Sequence, residues 1–346
     1  MKICFIVPVQ KPHKCGITDY VNLLSEKFEF ENIEVTKFEI KDLNEIGNLE
    51  KKLPKANIFS LQFAPYAFTK NGIFGKSIKI LANSLSNKKV HINFHEIWVG
   101  DHKQSSIKEK LIGWKQKKEI LELLRISEPF VVTTSNSAYL YRLRKIGISP
   151  SLLYLFGNIF FKKKYATNKN DFLNIIFFGT IYHNYPFKIL IDHLIILSTK
   201  LKKDIRIKII GRIQNSKGKS ELLRICKQKN IKIIFIGEST PEFISKELQS
   251  SEIGVSTTPY DILGKSGTTS SMLEHGLPVI AYDDFDTPSE HVDIPKQFEN
   301  QVFLISNTFD YKRIINFLNN NRNDKFDGLN HTFNQIKKLF LNEFTI

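Results

Sequence analysis

The chain alternates between short apolar runs and longer segments in which apolar residues recur at helical spacing. The short runs are rich in β-branched residues and lack regular polar alternation, which is typical of strands buried on both faces of a parallel sheet. Strands that alternate with helices favour a parallel α/β architecture. In the first half, the predicted strands are Ile3–Val7, Ile33–Phe38, Ile58–Phe63, Val90–Phe94, Phe130–Thr134 and Leu152–Leu155, and the predicted helices include Tyr20–Phe28 and Ile107–Leu124. In the second half, the predicted strands are Leu173–Phe178, Ile205–Ile210, Ile231–Ile236, Ile253–Ser256, Pro278–Tyr282 and Val302–Ile305.

The length of 346 residues suits two domains of ordinary size. A polar, basic segment at residues 157–171 separates the two sets of strands and is the predicted linker. We therefore expect one domain at residues 1–160, a second at residues 171–325, and a last helix within residues 326–346. Apolar residues recur at helical spacing from Phe333 to Phe344, so this helix should pack on one of the two domains.

Composition indicates an intracellular setting. The three cysteines have no metal-ligand spacing and are interpreted as reduced thiols. The apolar start of the chain soon gives way to polar residues, unlike a secretory signal, and no apolar run is long enough to span a bilayer. We therefore expect a cytoplasmic protein.

The formal net charge of +15 leaves two interpretations open. The excess either reflects a composition rich in Lys, Asn and Ile, or forms a basic face that meets anionic lipid or a lipid-linked acceptor. Five lysines cluster in the helix predicted at 107–124, namely Lys108, Lys110, Lys115, Lys117 and Lys118. Nucleic acid is disfavoured as a partner, because aromatic residues lie mainly within apolar runs and no recognised binding motif is present.

Residues 260–284 carry the strongest chemical signal in the chain. A loop of small residues, 264–269, is followed by a predicted helix at Ser270–His275, by Gly276, and by the start of a strand. Glycines in the loop let backbone amides approach a ligand, and the free N–H groups of a helix N-terminus suit a phosphate. Glu274, one turn or so into that helix, has a carboxylate that can accept hydrogen bonds from a sugar diol. Together these features fit a nucleotide.

The same residues, from the small-residue loop through Glu274 to Leu277-Pro278-Val279-Ile280-Ala281, resemble the donor-site segment of glycosyltransferases with the GT-B fold. The first strand and the glycine loop after it are similar to those of family-four-like members, and Ser135 after Val131-Val132-Thr133-Thr134 resembles another recurring position. The resemblance implies two Rossmann-like domains facing a central cleft, with the last helix crossing back onto the first domain. It also implies that Glu274 binds the donor ribose, while the amides of Lys265, Ser266, Gly267, Thr268 and Thr269 hold the diphosphate.

In the first half, the resemblance points to the loop after the first strand and to the end of the fourth strand. Gly16 would let the backbone approach a diphosphate, and His95 matches the histidine that related retaining enzymes place near the transferred sugar. For the general base, Glu96, Asp19 and His13 all remain candidates, because proton-transfer reach depends on geometry. The catalytic candidates are therefore His95, Glu96 and Asp19.

In the second half, the donor-binding candidates at strand ends are Gly179, Arg212 and Gly237. Two departures from the family pattern matter. Thr180 stands where many relatives have Arg, so that Arg212 or Lys265 would replace that cation. Ser266 stands where family four has the first of two Glu residues. No Asp-x-Asp occurs in a loop suited to a metal, so we expect neither a metal nor a cofactor other than the donor itself.

The sequence therefore predicts a hexosyltransferase. It would use a nucleotide diphosphate sugar and a glycan or lipid-linked glycan acceptor, with retention and with peripheral contact to anionic membrane. Two alternatives stay open: a nucleotide-sugar epimerase of the same fold, and a catalytically weak nucleotide-binding partner subunit. A dehydrogenase is disfavoured, because no Gly-x-Gly-x-x-Gly follows the first strand.

Overall fold

The computed structural model describes residues 1–9, 16–42, 47, 49–103, 105–161, 163–165, 171–211, 217–283, 298–320 and 326–341. The chain divides into two compact units, one formed by Met1–Tyr154 together with the chain from Leu329 onward, and the other by Leu155–Gly328. The boundary lies between Tyr154 and Leu155, so that residues 155–160 belong to the second unit and not, as the sequence predicted, to the first.

A parallel sheet forms the first unit. Its strands within the described residues are β1 (Lys2–Pro8), β2 (Glu34–Ile40), β3 (Ile58–Phe63), β4 (Val90–Phe94), β5 (Val131–Thr134) and β6 (Ser151–Leu152), in the spatial order β2-β1-β3-β4-β5-β6. Each neighbouring pair runs parallel, and β3 and β4 are buried along their whole length. The apolar runs therefore correspond to central strands covered on both faces, as the sequence predicted.

Six helices of this unit precede the second one: α1 (Gly16–Phe30), α2 (Leu49–Lys52), α3 (Pro65–Phe68), α4 (Ser77–Leu85), α5 (Ile107–Ser127) and α6 (Ser137–Arg144), all within the described residues. α5 begins with a capping box. The Ser106 hydroxyl accepts a hydrogen bond from the Glu109 N–H, and the Glu109 carboxylate accepts one from the Ser106 N–H. Two otherwise unpaired backbone donors are satisfied in this way, which fixes where α5 starts.

A second parallel sheet forms the second unit. Its strands within the described residues are β7 (Phe172–Phe178), β8 (Asp204–Ile210), β9 (Lys232–Gly237), β10 (Ile253–Pro259), β11 (Val279–Tyr282) and β12 (Val302–Ile305), in the spatial order β12-β11-β10-β7-β8-β9. The helices described are α7 (Phe187–Leu201), α8 (Lys217–Gln228), α9 (Pro241–Gln249), α10 (Gly267–Glu274) and α11 (Tyr311–Asn320). The chain runs outward from β7 to β9 and returns on the other side of β7 at β10. A topological switch point therefore lies between β7 and β10.

The last helix, α12 (Gly328–Leu341), packs on the first unit. The rings of Phe333 and Phe340 lie 4.9 and 6.5 Å from the ring of Phe28 on α1. The Thr332 hydroxyl donates a hydrogen bond to the Tyr154 carbonyl at 2.7 Å. The helical spacing of the apolar residues thus provides the stripe that α12 buries against α1.

Candidate functional site

The carboxyl ends of β7, β8 and β9 share one backbone feature. Gly179, Gly211 and Gly237 follow or end these strands with positive φ angles of 94°, 106° and 78°. The Gly179 N–H donates to the Ile210 carbonyl, and the Gly211 N–H donates to the Gly237 carbonyl. The chain therefore turns sharply at one edge of the sheet, where ligands of open parallel sheets usually bind.

The start of α10 is organised by Ser266. After β10, a turn of 3₁₀ helix (Tyr260–Lys265) leads to Ser266, whose hydroxyl accepts the Thr269 N–H at 3.3 Å. The Thr269 hydroxyl lies 2.8 Å from the Ser266 hydroxyl and 2.8 Å from that of Ser256 on β10. The cap and these hydroxyl contacts hold the first turn of α10 against the end of β10.

Two N–H groups at this helix start are uncommitted. Those of Gly267 and Thr268 donate to no acceptor in the described part of the chain. Gly264 to Thr268 are partly exposed, whereas the rest of α10 is buried. Free N–H groups together with the positive end of the helix dipole form a site suited to an anion.

Gly179 brings β7 against this helix start. A Cβ atom added to Gly179 would lie 2.9 Å from the Thr268 Cγ2 atom, and the φ of 94° disfavours any other residue. The segment after Gly179 is held by Thr257 on β10, whose hydroxyl donates to the Thr180 carbonyl at 2.8 Å and accepts from the Tyr182 N–H at 3.1 Å. The structure thus places Gly179, Thr180 and Thr268 together at the switch point.

The structure describes one of the two predicted cations. Lys265 ends the 3₁₀ turn and is partly exposed, directly before the cap Ser266. Arg212 lies outside the described residues. At Gly237, an added Cβ would meet no atom of the described residues within 4 Å, so this strand end is open. Among the described residues, no group of three or more His, Cys, Asp or Glu is arranged to hold a metal.

Glu274 lies elsewhere than expected. It is the last residue of α10, about 10 Å along the helix axis from Gly267 and not near the helix start. It is 4% exposed, and its carboxylate accepts a hydrogen bond from the Gly157 N–H at 2.9 Å. The sequence placed the helix start at Ser270, and the structure corrects it to Gly267. Glu274 thus has a structural contact that the sequence did not indicate.

In the first unit, His95 follows the carboxyl end of β4. Its Nε2 atom lies 2.8 Å from the Gln62 Oε1 atom and 3.2 Å from the Asn93 Nδ2 atom. The ring of Tyr20 on α1 meets the imidazole edge to face, with ring centroids 5.2 Å apart. Desolvation lowers the pKa of His95 to about 4, so the imidazole is neutral near pH 7.

The other first-unit candidates are more exposed. Gly16 and Asp19 are exposed residues in the first turn of α1, and Asp19 directly precedes Tyr20. Glu96 is partly buried next to His95. His13 lies outside the described residues. The structure therefore gathers His95 with Tyr20, Gln62 and Asn93.

The outer face of α5 combines apolar and basic side chains. Ile107, Leu111 and Trp114 are 79%, 64% and 57% exposed. The Lys118 ammonium lies 3.8 Å from the centre of the Trp114 ring. None of the helices in the described ranges has both the length and the apolar character of a membrane span.

Sequence reasoning missed the polar residues inside strands. Ser60 and Gln62 on β3, His91 and Asn93 on β4, and Thr133 on β5 are all at most 4% exposed. In β3 and β4 alone among these three strands, a polar residue stands at every second position, which places the polar side chains of each strand on one face of the sheet. Likewise, the serine before Gly267 was interpreted as part of the loop and not as the helix cap.

Comparisons with known proteins identify the fold of the chain. No family model matches the chain, and no curated protein sequence matches it. Among solved structures, it is similar to HepE (Alr3699) of Anabaena in complex with UDP and glucose, with a TM-score of 0.59 and 12% identity over 99% of this chain and 100% of the other. It is also similar to a putative UDP-N-acetylglucosamine 2-epimerase from Listeria monocytogenes, with a TM-score of 0.55 and 12% identity over 99% and 96%. A third is an alpha-glucosyltransferase in complex with UDP-glucose and DNA containing an abasic site, with a TM-score of 0.50 and 13% identity over 98% and 90%. With two Rossmann-like units of parallel sheet and flanking helices, the chain has the GT-B fold.

Proposed function

We propose that this chain is a glycosyltransferase that moves a hexose from a nucleotide diphosphate sugar to a hydroxyl group of a glycan or lipid-linked glycan. The observation that carries the proposal is the start of α10, where the N–H groups of Gly267 and Thr268 have no acceptor among the described residues and stand beside Gly179. This is the chemistry of a diphosphate site, at the switch point of a fold that other proteins use with UDP and UDP-sugars.

The chemical task at this site is to stabilise the leaving nucleoside diphosphate. As the bond between the sugar and the diphosphate breaks, negative charge grows on the diphosphate. Preorganised N–H groups and a helix dipole stabilise this charge without having to reorganise. Lys265 supplies the neighbouring cation in this proposal, and Arg212 is the second candidate. We propose retention of configuration and no resident metal.

An epimerase is the second candidate. The Listeria protein matches almost as well as HepE, with TM-scores of 0.55 and 0.59, so the fold does not separate the two activities. A partner subunit that binds nucleotide without turnover is the third candidate. It is motivated by Thr180 and Ser266, which stand at positions where the family pattern carries charged residues.

A binding and product assay separates these activities. Nucleoside diphosphates are first screened by thermal shift, starting with UDP, because a ligand that binds only the folded protein raises its melting temperature. UDP-glucose is then incubated with glycan and glycolipid acceptors, and free UDP and new glycoside are quantified. We expect equal amounts of both products. A sugar nucleotide changed in configuration without an acceptor would indicate an epimerase, and binding without turnover a partner subunit. If no nucleoside diphosphate raises the melting temperature, the proposal is wrong.

Gly267→Val tests the diphosphate site itself. Among the described residues, the nearest atom to an added Cβ is the Phe156 carbonyl oxygen at 3.9 Å, so the fold should tolerate the side chain. The side chain should instead keep a diphosphate away from the backbone. We expect UDP binding to weaken about tenfold or more, because hydrogen bonds to a charged group are lost, while uridine binding changes less. Equal losses for UDP and uridine would contradict a diphosphate site.

A further inference from the structure

The amino ends of β7 and β8 carry polar side chains on one face of the second sheet. Strand register places Asn174 on β7 beside Arg206 on β8. Side chains of a strand alternate between the two faces of a sheet, and Leu173, Ile175 and Ile207 belong to the apolar core on one face. Asn174 and Arg206 therefore share the opposite face.

α9 packs on this face beside β8. Lys208, two residues beyond Arg206, donates from its ammonium group to the Glu247 carboxylate at 2.7 Å and to the Ser250 hydroxyl at 3.0 Å. Lys208 is 9% exposed, so these contacts are largely removed from water. This buried cation thus has its partners within the chain, as buried charges usually do.

Asn174 and Arg206 differ from Lys208 in this respect. Asn174 is 0% exposed, yet neither Nδ2 nor Oδ1 of its amide has a hydrogen-bond partner in the part of the chain that the structure describes. The buried Nε atom of Arg206 has no such partner either, although the Cζ atom of its guanidinium group lies 3.5 Å from the centre of the Phe172 ring. Unpaired polar groups are costly when they are buried, so these three atoms indicate a ligand.

The three atoms specify the chemistry of that ligand. Arg206 Nε and Asn174 Nδ2 are hydrogen-bond donors, whereas Asn174 Oδ1 is an acceptor. Exchanging the two ends of the amide leaves the same set of donors and acceptors. An anion such as chloride would satisfy both donors but repel the amide oxygen, and a cation would be repelled by the guanidinium group. The ligand must therefore both accept and donate hydrogen bonds, and it must be small because Asn174 is fully buried.

We propose that Asn174 and Arg206 hold a buried water site at the amino ends of β7 and β8. One water molecule accepts from Arg206 Nε–H and donates to Asn174 Oδ1, and a second accepts from Asn174 Nδ2–H. Water that pairs buried polar groups in this way is part of a protein's structure. Arg206 is partly exposed, so the site exchanges with solvent on that side. The site lies at the opposite end of β7 from Gly179, and the inference does not depend on the proposed function.

Nuclear magnetic resonance on the whole protein detects water beside Asn174. We would measure cross-relaxation between water and the side-chain amide protons of Asn174, assigned by comparison with Asn174→Leu. In the rotating frame, the cross peak of a bound water has the opposite sign to one that arises from proton exchange. Asn93 is the control within the same protein, because its buried amide is paired with Gln62 and Thr133. We expect a bound-water cross peak at Asn174 and none at Asn93.

Two variants test the partners of the water. Arg206→Lys keeps the charge and removes the Nε donor, so the water cross peak of Asn174 should weaken. Arg224→Lys is the matched control, because Arg224 is exposed on α8, and it should leave the cross peak unchanged. Asn174→Leu removes both amide atoms and should lower the melting temperature, because the water loses its acceptor beside Arg206.

Several results would overturn the proposal. One is the absence of a bound-water cross peak at Asn174. Another is a higher melting temperature of Asn174→Leu, which is expected if the amide is buried dry and unpaired. An unchanged cross peak in Arg206→Lys would remove Arg206 from the site. A melting temperature that is higher in sodium chloride than in sodium gluconate at the same ionic strength, without a water cross peak at Asn174, would assign the site to an anion instead.

Discussion

At the scale of single residues, Gly179 is constrained twice, by its backbone and by a neighbour. Its φ of 94° suits glycine, and an added Cβ would lie 2.9 Å from Thr268 Cγ2. Gly75 is a matched control, since its φ is 61° and an added Cβ would meet no described atom within 4 Å. Gly75→Ala should destabilise the protein by about 1–2 kcal/mol through the backbone alone.

We expect Gly179→Ala to destabilise the protein by more than Gly75→Ala does, because Thr268 must also move. That movement should displace the start of α10 and weaken UDP binding, whereas Gly75→Ala should leave binding intact. Urea unfolding and UDP titration measure the two effects. Equal stability loss in both variants with unchanged UDP affinity would remove Gly179 from the site.

Glu274→Gln should reduce stability, because a charge-assisted hydrogen bond to the Gly157 N–H becomes a neutral one. We expect a loss of about 1 kcal/mol in urea unfolding. The hydrogen bond to Gly157 thus gives Glu274 a role in stability that the sequence did not indicate. Its proposed contact with ribose needs a separate measurement. If that contact exists, the variant should bind UDP and 2′-deoxy-UDP with equal affinity, while the wild type prefers UDP. The same preference in both proteins would leave Glu274 with its structural role only.

At the scale of elements, the type of element was predictable and its limits were not. The strands were predicted because buried parallel strands are uninterrupted apolar runs. The start of α10 was misplaced because Gly267, Thr268 and Thr269 have low helix propensity, and the cap Ser266, which overrides it, is visible only as a side-chain contact. The partner of Glu274 was beyond sequence reasoning altogether, since Gly157 lies 117 positions away along the chain.

The proposed membrane contact of α5 is also a property of a single element. Ile107, Leu111 and Trp114 form an exposed apolar stripe, and Lys110, Lys115 and Lys118 are exposed on the same helix. This pairing suits an anionic bilayer, because apolar rings and chains enter the interface while each lysine near the surface contributes about 1 kcal/mol. The contact would bring a lipid-linked acceptor to the protein.

We expect vesicles of anionic lipid to sediment the protein at low salt and to release it at high salt. Replacing Lys110, Lys115 and Lys118 by Glu should abolish sedimentation. The control variant replaces Lys51, Lys52 and Lys55 by Glu, at exposed positions elsewhere on the first unit. It makes the same change in net charge and should have little effect on sedimentation. If both triple variants behave alike, or if neutral vesicles sediment the protein equally, the charge is compositional and a soluble acceptor is favoured. Lys117 is left unchanged, because its ammonium lies 5.4 Å from the Trp98 ring and contributes to packing.

At the scale of the whole molecule, the fold class was predictable from the order of elements, and the comparisons confirm it as GT-B. The boundary between the two units was harder to predict. Polar, basic composition suggested a linker from Gly157, yet Gly157 bonds Glu274, and the Leu155 carbonyl accepts from Ser270, so both belong to the second unit. Polar composition indicates which segments tolerate contact with water. The boundary between two units depends instead on which groups the backbone hydrogen bonds of a segment pair with.

The place of α12 in the first unit leads to a prediction about stability. Phe340 is fully buried, with its ring 6.5 Å from that of Phe28 and 5.2 Å from that of His91. Phe340→Ala leaves a cavity there and should destabilise the first unit by about 3–5 kcal/mol. Leu341→Ala is the matched control, because Leu341 is the next residue of the same helix and is 41% exposed.

Hydrogen exchange is followed separately for peptides of each unit. In the Phe340 variant, β1, β3 and β4 should exchange faster than in the wild type, whereas in the control variant their exchange rates should not change. UDP protection of α10, which belongs to the second unit, should be retained in both variants. Unchanged exchange in the first-unit strands of the Phe340 variant would mean that α12 is not part of that unit's core in solution.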